Sequence, residues 1–295
     1  MVVVSGTSNK GFAKELAKAL GKRYVDSDIH HFPDGELHVK VPGGKIDREG
    51  IIVQSLAYRP NEYILELILL ADDLRREGAK KVIAVIPYLA YARQDEEFTK
   101  GEAVAFLSVA KLLETYCDKI ITVDTHLHRF HRISQVFSKA VNVSAMEELA
   151  QYAKKRYKNL KNPLIIGPDG ESKQWAKQIA GIMECEYDIF EKVRLSATKV
   201  IVKPKKKDLR GRDIIIVDDI ISTGGTIIET IKIAKKQGAK RIIVFCSHGL
   251  LMDGALKRIL RAGAEVVVST NTVPNSTSKV SAVPSVARVL KGKVK

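Results

Sequence analysis

Cysteine is scarce in this sequence, and long apolar runs are absent. The 295 residues include only three cysteines, Cys117, Cys185 and Cys246, which lie far apart and form no CxxC pair. Such a set predicts reduced thiols inside a core and indicates a cytoplasmic protein. No apolar run reaches the length of a transmembrane helix, and the N-terminus shows no signal-peptide pattern, so we expect no membrane partner.

Acidic residues are also in the minority, with 34 Asp and Glu against 49 Lys and Arg and a net charge of +15. A net positive charge of this size is typical of a protein that binds nucleic acid or polyphosphate metabolites. The sequence shows no helix-turn-helix pattern and no platform of interleaved aromatic and basic residues. We therefore expect no nucleic-acid partner, and we interpret most of the basic residues as solvated helix faces.

Apolar, β-branched runs alternate with helical patterns along the chain, which predicts an α/β fold. The strand runs are continuously apolar, and such strands are typical of parallel sheets that are covered by helices on both faces. The expected strands are residues 2–5, 51–54, 82–86, 120–124, 164–167, 214–217, 241–246 and 265–268. Helices are expected between them, for instance at 62–77, 102–116, 172–183 and 226–237.

The two halves of the chain resemble each other. The segments "GAKKVIAV" at 78–85 and "GAKRIIVF" at 238–245 each follow a helical pattern and lead into a strand. The glycine of each segment suits a left-handed residue just after a helix end. We infer a duplicated domain with a boundary near residues 140–150. The copies differ at one connection, where the first has "IIVQSLAYRPNEY" and the second has "IIIVDDIISTGGT".

The second of these stretches has the composition of a binding loop. Asp218 and Asp219 end a buried strand, and residues 222–226 supply hydroxyl groups and two glycines before a helix. In an open parallel sheet, ligands lie beyond the strand C-termini, where backbone N–H groups and a helix N-terminus hold phosphate. Carboxylates accept hydrogen bonds from a diol, so ribose 5-phosphate fits this loop. The alternative is an ordinary strand–turn–helix connection in which Asp or Ser caps the helix.

Three further segments occur in order with this loop: "FPDGE" at 32–36, "YARQD" at 91–95 and "TVDTHLH" at 122–128. With them the chain resembles the ribose-phosphate pyrophosphokinases, and its length and short loops are similar to those of archaeal members. The resemblance implies two duplicated phosphoribosyltransferase-like domains, each a mainly parallel sheet flanked by helices. Residues 1–143 would recognise ATP and form oligomer contacts, and residues 144–295 would carry the ribose 5-phosphate loop and a flexible catalytic loop.

The resemblance also implies an activity, the transfer of the pyrophosphoryl group of ATP to the C1 hydroxyl of ribose 5-phosphate. The products would be 5-phosphoribosyl 1-pyrophosphate and AMP. One alternative is a phosphoribosyltransferase, which would consume this activated sugar, and another is a non-catalytic regulator that senses it. Phosphoribosyltransferases usually have one domain and lack the "FPDGE" and "YARQD" segments.

Site residues follow from the same resemblance. Lys192 and Arg194, two apart on a flexible loop, would be catalytic, and His126 and Asp169 would bind the Mg²⁺ that bridges the ATP phosphates. The implied ATP-binding residues are Phe32, Asp34, Gly35, Glu36, Arg93 and Gln94. The implied ribose 5-phosphate-binding residues are Arg194, Asp218, Asp219, Ser222, Thr223, Gly224, Gly225 and Thr226. In the family the "FPDGE" segment reaches the ATP site of a neighbouring subunit, which implies a homo-oligomer, at least a dimer, with a shared active site.

Overall fold

The computed structural model describes residues 1–43, 46, 48–127, 129–194, 200–203 and 207–292, and the side chains of 191–194 and 200–203 lie outside this description. The chain divides into two compact units. The first unit is Met1–Ser144 together with Ala282–Lys295, and the second is Ala145–Ser281. Among the described residues, no helix combines the length and apolar character that a bilayer crossing requires.

The first unit is a six-stranded parallel sheet with helices packed against it. Its strands are β1 (Val2–Ser5), β2 (Arg23–Asp26), β3 (Asp28–His31), β4 (Leu37–Lys40), β5 (Glu49–Val53), β6 (Lys81–Ile86), β7 (Lys119–Val123) and β8 (Ala140–Val143). Its helices are α1 (Lys10–Leu20), α2 (Pro60–Arg76), α3 (Ala105–Tyr116) and, at the C-terminus, α8 (Val283–Leu290). The sheet order is β2-β1-β5-β6-β7-β8, and β3 and β4 form a separate antiparallel hairpin.

The second unit repeats this architecture. Its strands are β9 (Leu164–Gly167), β10 (Glu186–Ile189), β11 (Glu191–Arg194), β12 (Val200–Lys203), β13 (Asp213–Ile221), β14 (Arg241–Gly249), β15 (Val266–Thr270) and β16 (Ser278–Val280). Its helices are α4 (Met146–Arg156), α5 (Lys173–Met183), α6 (Gly225–Lys236) and α7 (Ala255–Ala262). The sheet order is β10-β9-β13-β14-β15-β16, all parallel, and β11 and β12 form a separate antiparallel ribbon.

The two sheets have the same strand order when each is numbered from its own first strand, which confirms the predicted duplication. Gly78 and Gly238 follow α2 and α6 with left-handed φ values of 106° and 83°, as the repeated "GAK" segments predict. The next residue closes the helix end in both copies, since Ala79 N–H donates to Leu74 O and Ala239 N–H donates to Ala234 O. The expected α/β class and parallel sheets are therefore correct.

The buried strands contact a core on each face, as their continuous apolar pattern predicts. In β13, Ile214 and Ile216 pack in one cluster with residues of α6 and α7. Ile215 and Val217 pack in a second cluster on the opposite face with residues of α4 and α5. Successive side chains of a strand point to opposite faces, so a strand covered on both sides must be apolar at every position.

The structure differs from the expected domain division at the C-terminus. The sequence analysis assigned residues 144–295 to the second domain, whereas α8 groups with the first unit, where it packs on α1. The Ser285 hydroxyl also donates to Ser144 O at 2.7 Å. Sequence order alone does not show that a terminal helix returns to the first half of the chain, because no local pattern encodes that contact.

Candidate functional site

The connection from β13 to α6 in the second unit holds the acidic pair and the predicted phosphate-binding loop. The strand continues past the expected end at 217 and pairs with β14 as far as Ile221. Helix α6 begins at Gly225, one residue before the expected start. The C-terminal end of a parallel strand thus leads through Ser222, Thr223 and Gly224 into a helix N-terminus, which is the arrangement that binds phosphate in α/β folds.

Neighbouring segments of the second unit hold this loop in place. The carbonyl oxygens of Ile221 and Ser222 accept hydrogen bonds from the N–H groups of Leu251 and Met252, at 2.9 and 3.0 Å. The next carbonyl, of Thr223, accepts a hydrogen bond from Arg258 Nη2 at 2.9 Å. Three consecutive carbonyl groups are therefore bound, so the conformation of the loop is set before any ligand arrives.

The two loop glycines have different reasons to be glycine. Gly224 has φ of 75°, and a Cβ there would lie 2.9 Å from Ile259 Cδ1, so both backbone and packing require glycine. Gly225 lies outside the left-handed region, and a Cβ there would meet nothing within 4 Å. No side chain caps the first N–H groups of α6. Gly225 therefore leaves open space beside backbone donors, as a phosphate site requires.

Asp218 and Asp219 lie at the end of β13, and Asp169 follows the neighbouring strand β9. Asp218 Oδ1 accepts the N–H of Asp219 at 3.0 Å, and Asp219, only 6% exposed, accepts the N–H of Ile220 at 2.7 Å. Burial and then the charges of Asp219 and Asp169 hold the pKa of the Asp218 carboxyl well above its usual range. A nearby cation or hydroxyl donors would favour the charged form of these carboxyl groups.

Asp169 also has a structural role at the start of α5. Its Oδ1 accepts the N–H groups of Glu171 and Ser172, both at 3.2 Å. The Ser172 hydroxyl in turn donates to the carbonyl oxygen of Asp169 at 2.6 Å. These bonds fix the carboxylate at the end of β9, beside the acidic pair of β13.

The equivalent connection in the first unit, from β5 to α2, has neither the acidic pair nor the paired glycines. Its helix, α2, begins with Pro60, which has no N–H to offer. Behind it lies the carboxylate of Glu66, which is 1% exposed. Glu66 accepts the N–H and hydroxyl of Thr7 at 3.0 and 2.7 Å and Gln54 Nε2 at 2.5 Å. The internal carboxylate thus occupies donors of the same strand ends, β1 and β5, that correspond to β9 and β13.

The predicted ATP residues of the first unit lie in two places. Arg93 and Gln94 follow β6 in a turn where Gln94 N–H donates to Tyr91 O at 3.0 Å. His126 follows the adjacent strand β7 and is partly buried. The turn and the His126 segment are tied together by Arg129, which pairs with the buried Asp95 at 3.6 Å and with Glu96.

The "FPDGE" segment is the turn of the β3–β4 hairpin, as its turn residues predict. Phe32 N–H donates to Glu36 O at 2.8 Å, and Gly35, with φ of 94°, donates to Phe32 O at 2.9 Å. Glu36 N–H donates to Asp34 Oδ1 at 3.1 Å. Phe32 is 45% exposed. The hairpin therefore presents an aromatic ring and two exposed carboxylates at its tip.

Lys192 and Arg194 belong to the β11–β12 ribbon, in which they are register partners of Val202 and Val200. Their backbone is extended, and their side chains lie outside the described part of the chain. The ribbon lies between β10 and β13, which are the second and third strands of the six-stranded sheet in chain order. The "FPDGE" hairpin makes the corresponding connection in the first unit, from β2 to β5.

Comparison with known proteins decides the family. The profile described as "N-terminal domain of ribose phosphate pyrophosphokinase" matches residues 1–116, and the profile described as "Phosphoribosyl transferase domain" matches residues 142–281. The chain belongs to the ribose-phosphate pyrophosphokinase family. A curated "Ribose-phosphate pyrophosphokinase" of Methanopyrus kandleri is 38% identical over 290 residues, which covers 98% of both chains. That of Thermococcus kodakarensis is 38% identical over 284 residues, 96% of this chain and 98% of the relative.

A solved structure agrees with this assignment. The "phosphoribosylpyrophosphate synthetase from Mycobacterium smegmatis" superposes with a TM-score of 0.86 at 27% identity, over 99% of this chain and 98% of that one. The predicted family and the predicted pair of phosphoribosyltransferase-like domains are therefore confirmed.

Two residues of the candidate sites, Asp95 and His248, were not predicted from the sequence. Asp95 lies inside the quoted "YARQD" segment, but its contact with Arg129 spans 34 positions and has no local signal. His248 is a second omission: it is 1% exposed, stands opposite Ile220 in β13 and shares a 2.8 Å hydrogen bond with Thr272. A histidine at the C-terminal end of the apolar run "RIIVFCSHG" was the available signal in the sequence.

Proposed function

We propose that this chain transfers the pyrophosphoryl group of ATP to the C1 hydroxyl of ribose 5-phosphate. The O1 atom of the sugar forms a bond to the β-phosphorus as the bond between that phosphorus and the α,β-bridging oxygen breaks. The products are 5-phosphoribosyl 1-pyrophosphate and AMP. This is the activity for which the relatives over the whole length are named. This activity makes the chain an enzyme, and neither alternative, a phosphoribosyltransferase or a non-catalytic regulator, is favoured.

The observation that carries the proposal is the contrast between the two equivalent connections. In the second unit, the acidic pair lies beside an uncapped helix N-terminus that starts with an open glycine. In the first unit the same connection has neither an acidic pair nor a glycine, and its helix begins with Pro60, which offers no N–H. We therefore assign ribose 5-phosphate to the second unit alone, with its phosphate on residues 222–226 and its hydroxyl groups on Asp218 and Asp219.

The first unit then serves ATP. Arg93 offers an exposed guanidinium near the start of α3, and guanidinium groups hold phosphate oxygens in a bidentate way. Phe32 supplies an exposed ring for stacking on a base, with Asp34 and Glu36 as acceptors for an exocyclic amine. Residues 1–143 are thus the ATP-recognition domain of the proposal, and residues 144–281 are the sugar and catalytic domain.

A divalent cation fits the acidic cluster of the second unit. Asp169 follows β9 and Asp218 lies on the neighbouring strand β13, so the two carboxylates belong to the same end of one sheet. Hard oxygen donors are the ligands that Mg²⁺ prefers, and the bound ion supplies neutralisation of charge on the ATP phosphates. We propose Asp169 as a protein ligand of this ion, because a carboxylate suits Mg²⁺ and imidazole is an unusual ligand for it.

Lys192 and Arg194 are the proposed catalytic cations. Displacement at phosphorus depends on position and charge neutralisation, because the enzyme supplies little covalent chemistry of its own. A lysine that contacts the transferred group acts most strongly in the transition state, and Arg194 orients phosphoryl oxygens. Their ribbon occupies the connection beside β10, the edge strand next to β9 and its Asp169.

We further propose a homo-oligomer, at least a dimer, in which the hairpin tip of one subunit completes the ATP site of its neighbour. The exposed Phe32 at a projecting tip is the observation that supports association. Mixing inactive Phe32→Ala/Asp34→Ala chains with inactive Lys192→Ala chains tests the idea. Activity should return after subunit exchange. Its absence, with exchange demonstrated, would contradict a shared site.

The deciding experiment for the reaction is a product assay with ATP, Mg²⁺ and ribose 5-phosphate. AMP formed in equal amount with 5-phosphoribosyl 1-pyrophosphate supports pyrophosphoryl transfer, whereas ADP would indicate transfer of a single phosphoryl group. Lys192→Ala protein purified in the same way controls for contaminating kinases. Consumption of added 5-phosphoribosyl 1-pyrophosphate with a nucleobase would instead indicate a phosphoribosyltransferase.

We also place the enzyme in the cytoplasm, because its three cysteines are free thiols.

A further inference from the structure

One face of the β3–β4 hairpin carries three side chains that can hold a metal ion. Asp28 and His30 are two apart on β3, so they point to the same face, and His38 is the register partner of His30 on β4. One ligand atom from each of the three residues lies within 4.8 Å of the others. The hairpin itself, and not a flexible loop, brings these groups together.

The distances and surroundings suit ligation. His30 Nδ1 lies 3.6 Å from Asp28 Oδ1, and the two imidazole rings are stacked with centroids 4.3 Å apart. Metal–ligand bonds of about 2.1 Å separate tetrahedral ligand atoms by roughly 3.4 Å. The ligand atoms here lie within 4.8 Å of one another, so binding requires the trio to close and the imidazole rings to tilt out of their stack until each points a nitrogen at the ion. Asp28 and His30 are more than half exposed, which permits these movements and leaves further coordination positions open to water.

His38 provides an independent indication. Its Nδ1 is buried, and within the part of the chain that the structure describes this atom has no hydrogen-bond partner. A buried polar atom that makes no hydrogen bond is costly, and ligation of a metal ion through this nitrogen would satisfy it. Phe32 lies edge-on to both rings, at 6.0 Å from His30 and 5.8 Å from His38, so the rings are packed in place.

We propose that Asp28, His30 and His38 bind one divalent transition-metal ion of borderline softness, such as Zn²⁺. Two imidazoles and one carboxylate favour Zn²⁺, Co²⁺, Ni²⁺ or Cu²⁺ over the hard ions Mg²⁺ and Ca²⁺. The site is therefore separate in both place and chemistry from the acidic cluster of the second unit. A bound ion cross-links β3 to β4 and fixes the rings on which Phe32 packs.

The test is calorimetric titration of the untagged full chain with ZnCl₂ after chelator treatment, in an excess of Mg²⁺ that saturates carboxylate sites. The variants are His30→Gln, His38→Gln and Asp28→Asn. His31→Gln is the matched control, since His31 points to the opposite face of β3 and lies 3.4 Å from Glu62. We expect one Zn²⁺ per chain, binding weakened about tenfold or more in each of the three variants, and no change in the control.

A second measurement keeps the result independent of folding. Co²⁺ in place of Zn²⁺ should give the visible absorption bands of a tetrahedral or five-coordinate site, and these bands should vanish in His30→Gln. Circular dichroism checks that each variant is folded, and Asp28→Asn leaves the stacked rings intact. The proposal is overturned if the wild-type chain binds no Zn²⁺, if His30→Gln and His38→Gln bind it as tightly as wild type, or if His31→Gln weakens binding equally.

Discussion

Replacement of Gly225 by alanine should stabilise the free protein and at the same time weaken ribose 5-phosphate binding. Gly225 is the first residue of α6, and a Cβ there would meet nothing within 4 Å. Alanine is favoured over glycine in helices by up to about 1 kcal/mol, and we expect roughly half of this at a first-turn position. The melting temperature should therefore rise slightly.

The same methyl group would enter the space from which a phosphate approaches the uncapped N–H groups. Losing one hydrogen bond to a charged group costs about 1.5–3 kcal/mol. That loss corresponds to a dissociation constant for ribose 5-phosphate that is roughly 10- to 150-fold higher. Stability and affinity thus change in opposite directions, which a general folding defect cannot produce.

Two other glycines serve as controls for this prediction. Gly181 lies inside α5, where an added Cβ would have no atom within 4 Å, so Gly181→Ala should raise stability without changing affinity. Gly224 has φ of 75° and a Cβ contact of 2.9 Å with Ile259, so Gly224→Ala should lower stability by about 1–2 kcal/mol. Differential scanning calorimetry and titration with ribose 5-phosphate measure both quantities. If Gly225→Ala binds the sugar phosphate as tightly as Gly181→Ala does, the phosphate does not contact this helix N-terminus.

Other predictions concern single residues. Lys192→Ala should lower kcat by about 10²- to 10³-fold with little change in KM, and near-normal kcat in steady-state assays would remove Lys192 from the mechanism. Asp218→Ala should weaken ribose 5-phosphate and spare ATP in binding titrations, whereas equal loss of both ligands would indicate misfolding. Glu66→Ala should cost about 3 kcal/mol in denaturant unfolding, because buried donors lose their acceptor, and a neutral effect would show that these contacts do not stabilise the first unit. Burial raises the pKa of Cys117 to about 12, so a thiol reagent at pH 8 should label the half-buried Cys185 first and Cys117 only after unfolding.

The central strands could be predicted from sequence because they are buried on both faces. Every expected strand has a counterpart, and β13 and β14 run several residues longer than their apolar runs. The edge strands β2 and β10 were not predicted, for the opposite reason. In β2, "RYVD" has one buried residue, Val25, and in β10, "EYDI" has only Ile189. An edge strand with mixed burial leaves neither a continuous apolar run nor a clean alternation, so its period cannot be recognised.

The candidate site likewise has one part that the sequence predicts and another part that it does not. The acidic loop is contiguous, and its position after a buried strand was enough to predict a turn and a helix N-terminus, although β13 continues past its expected end to Ile221. The contacts that support the loop are distant in sequence. Arg258 binds the Thr223 carbonyl across 35 positions, and the N–H of Leu251 donates to the Ile221 carbonyl. Such pairs depend on which strands are neighbours in the sheet, and that order follows from tertiary packing.

The duplication explains why one chain can bind two different phosphorylated substrates. Each unit has the same strand order, the same inserted antiparallel pair after its second strand and the same strand-to-helix connection after its third. The inserted pair carries the exposed Phe32 in the first copy and the backbone of Lys192 in the second. The helix after the connection begins with Pro60 in the first copy and with the open Gly225 in the second. Because the scaffold is the same, the difference in function rests on these short segments, and replacement of a few residues in them should alter ligand choice while the fold is retained.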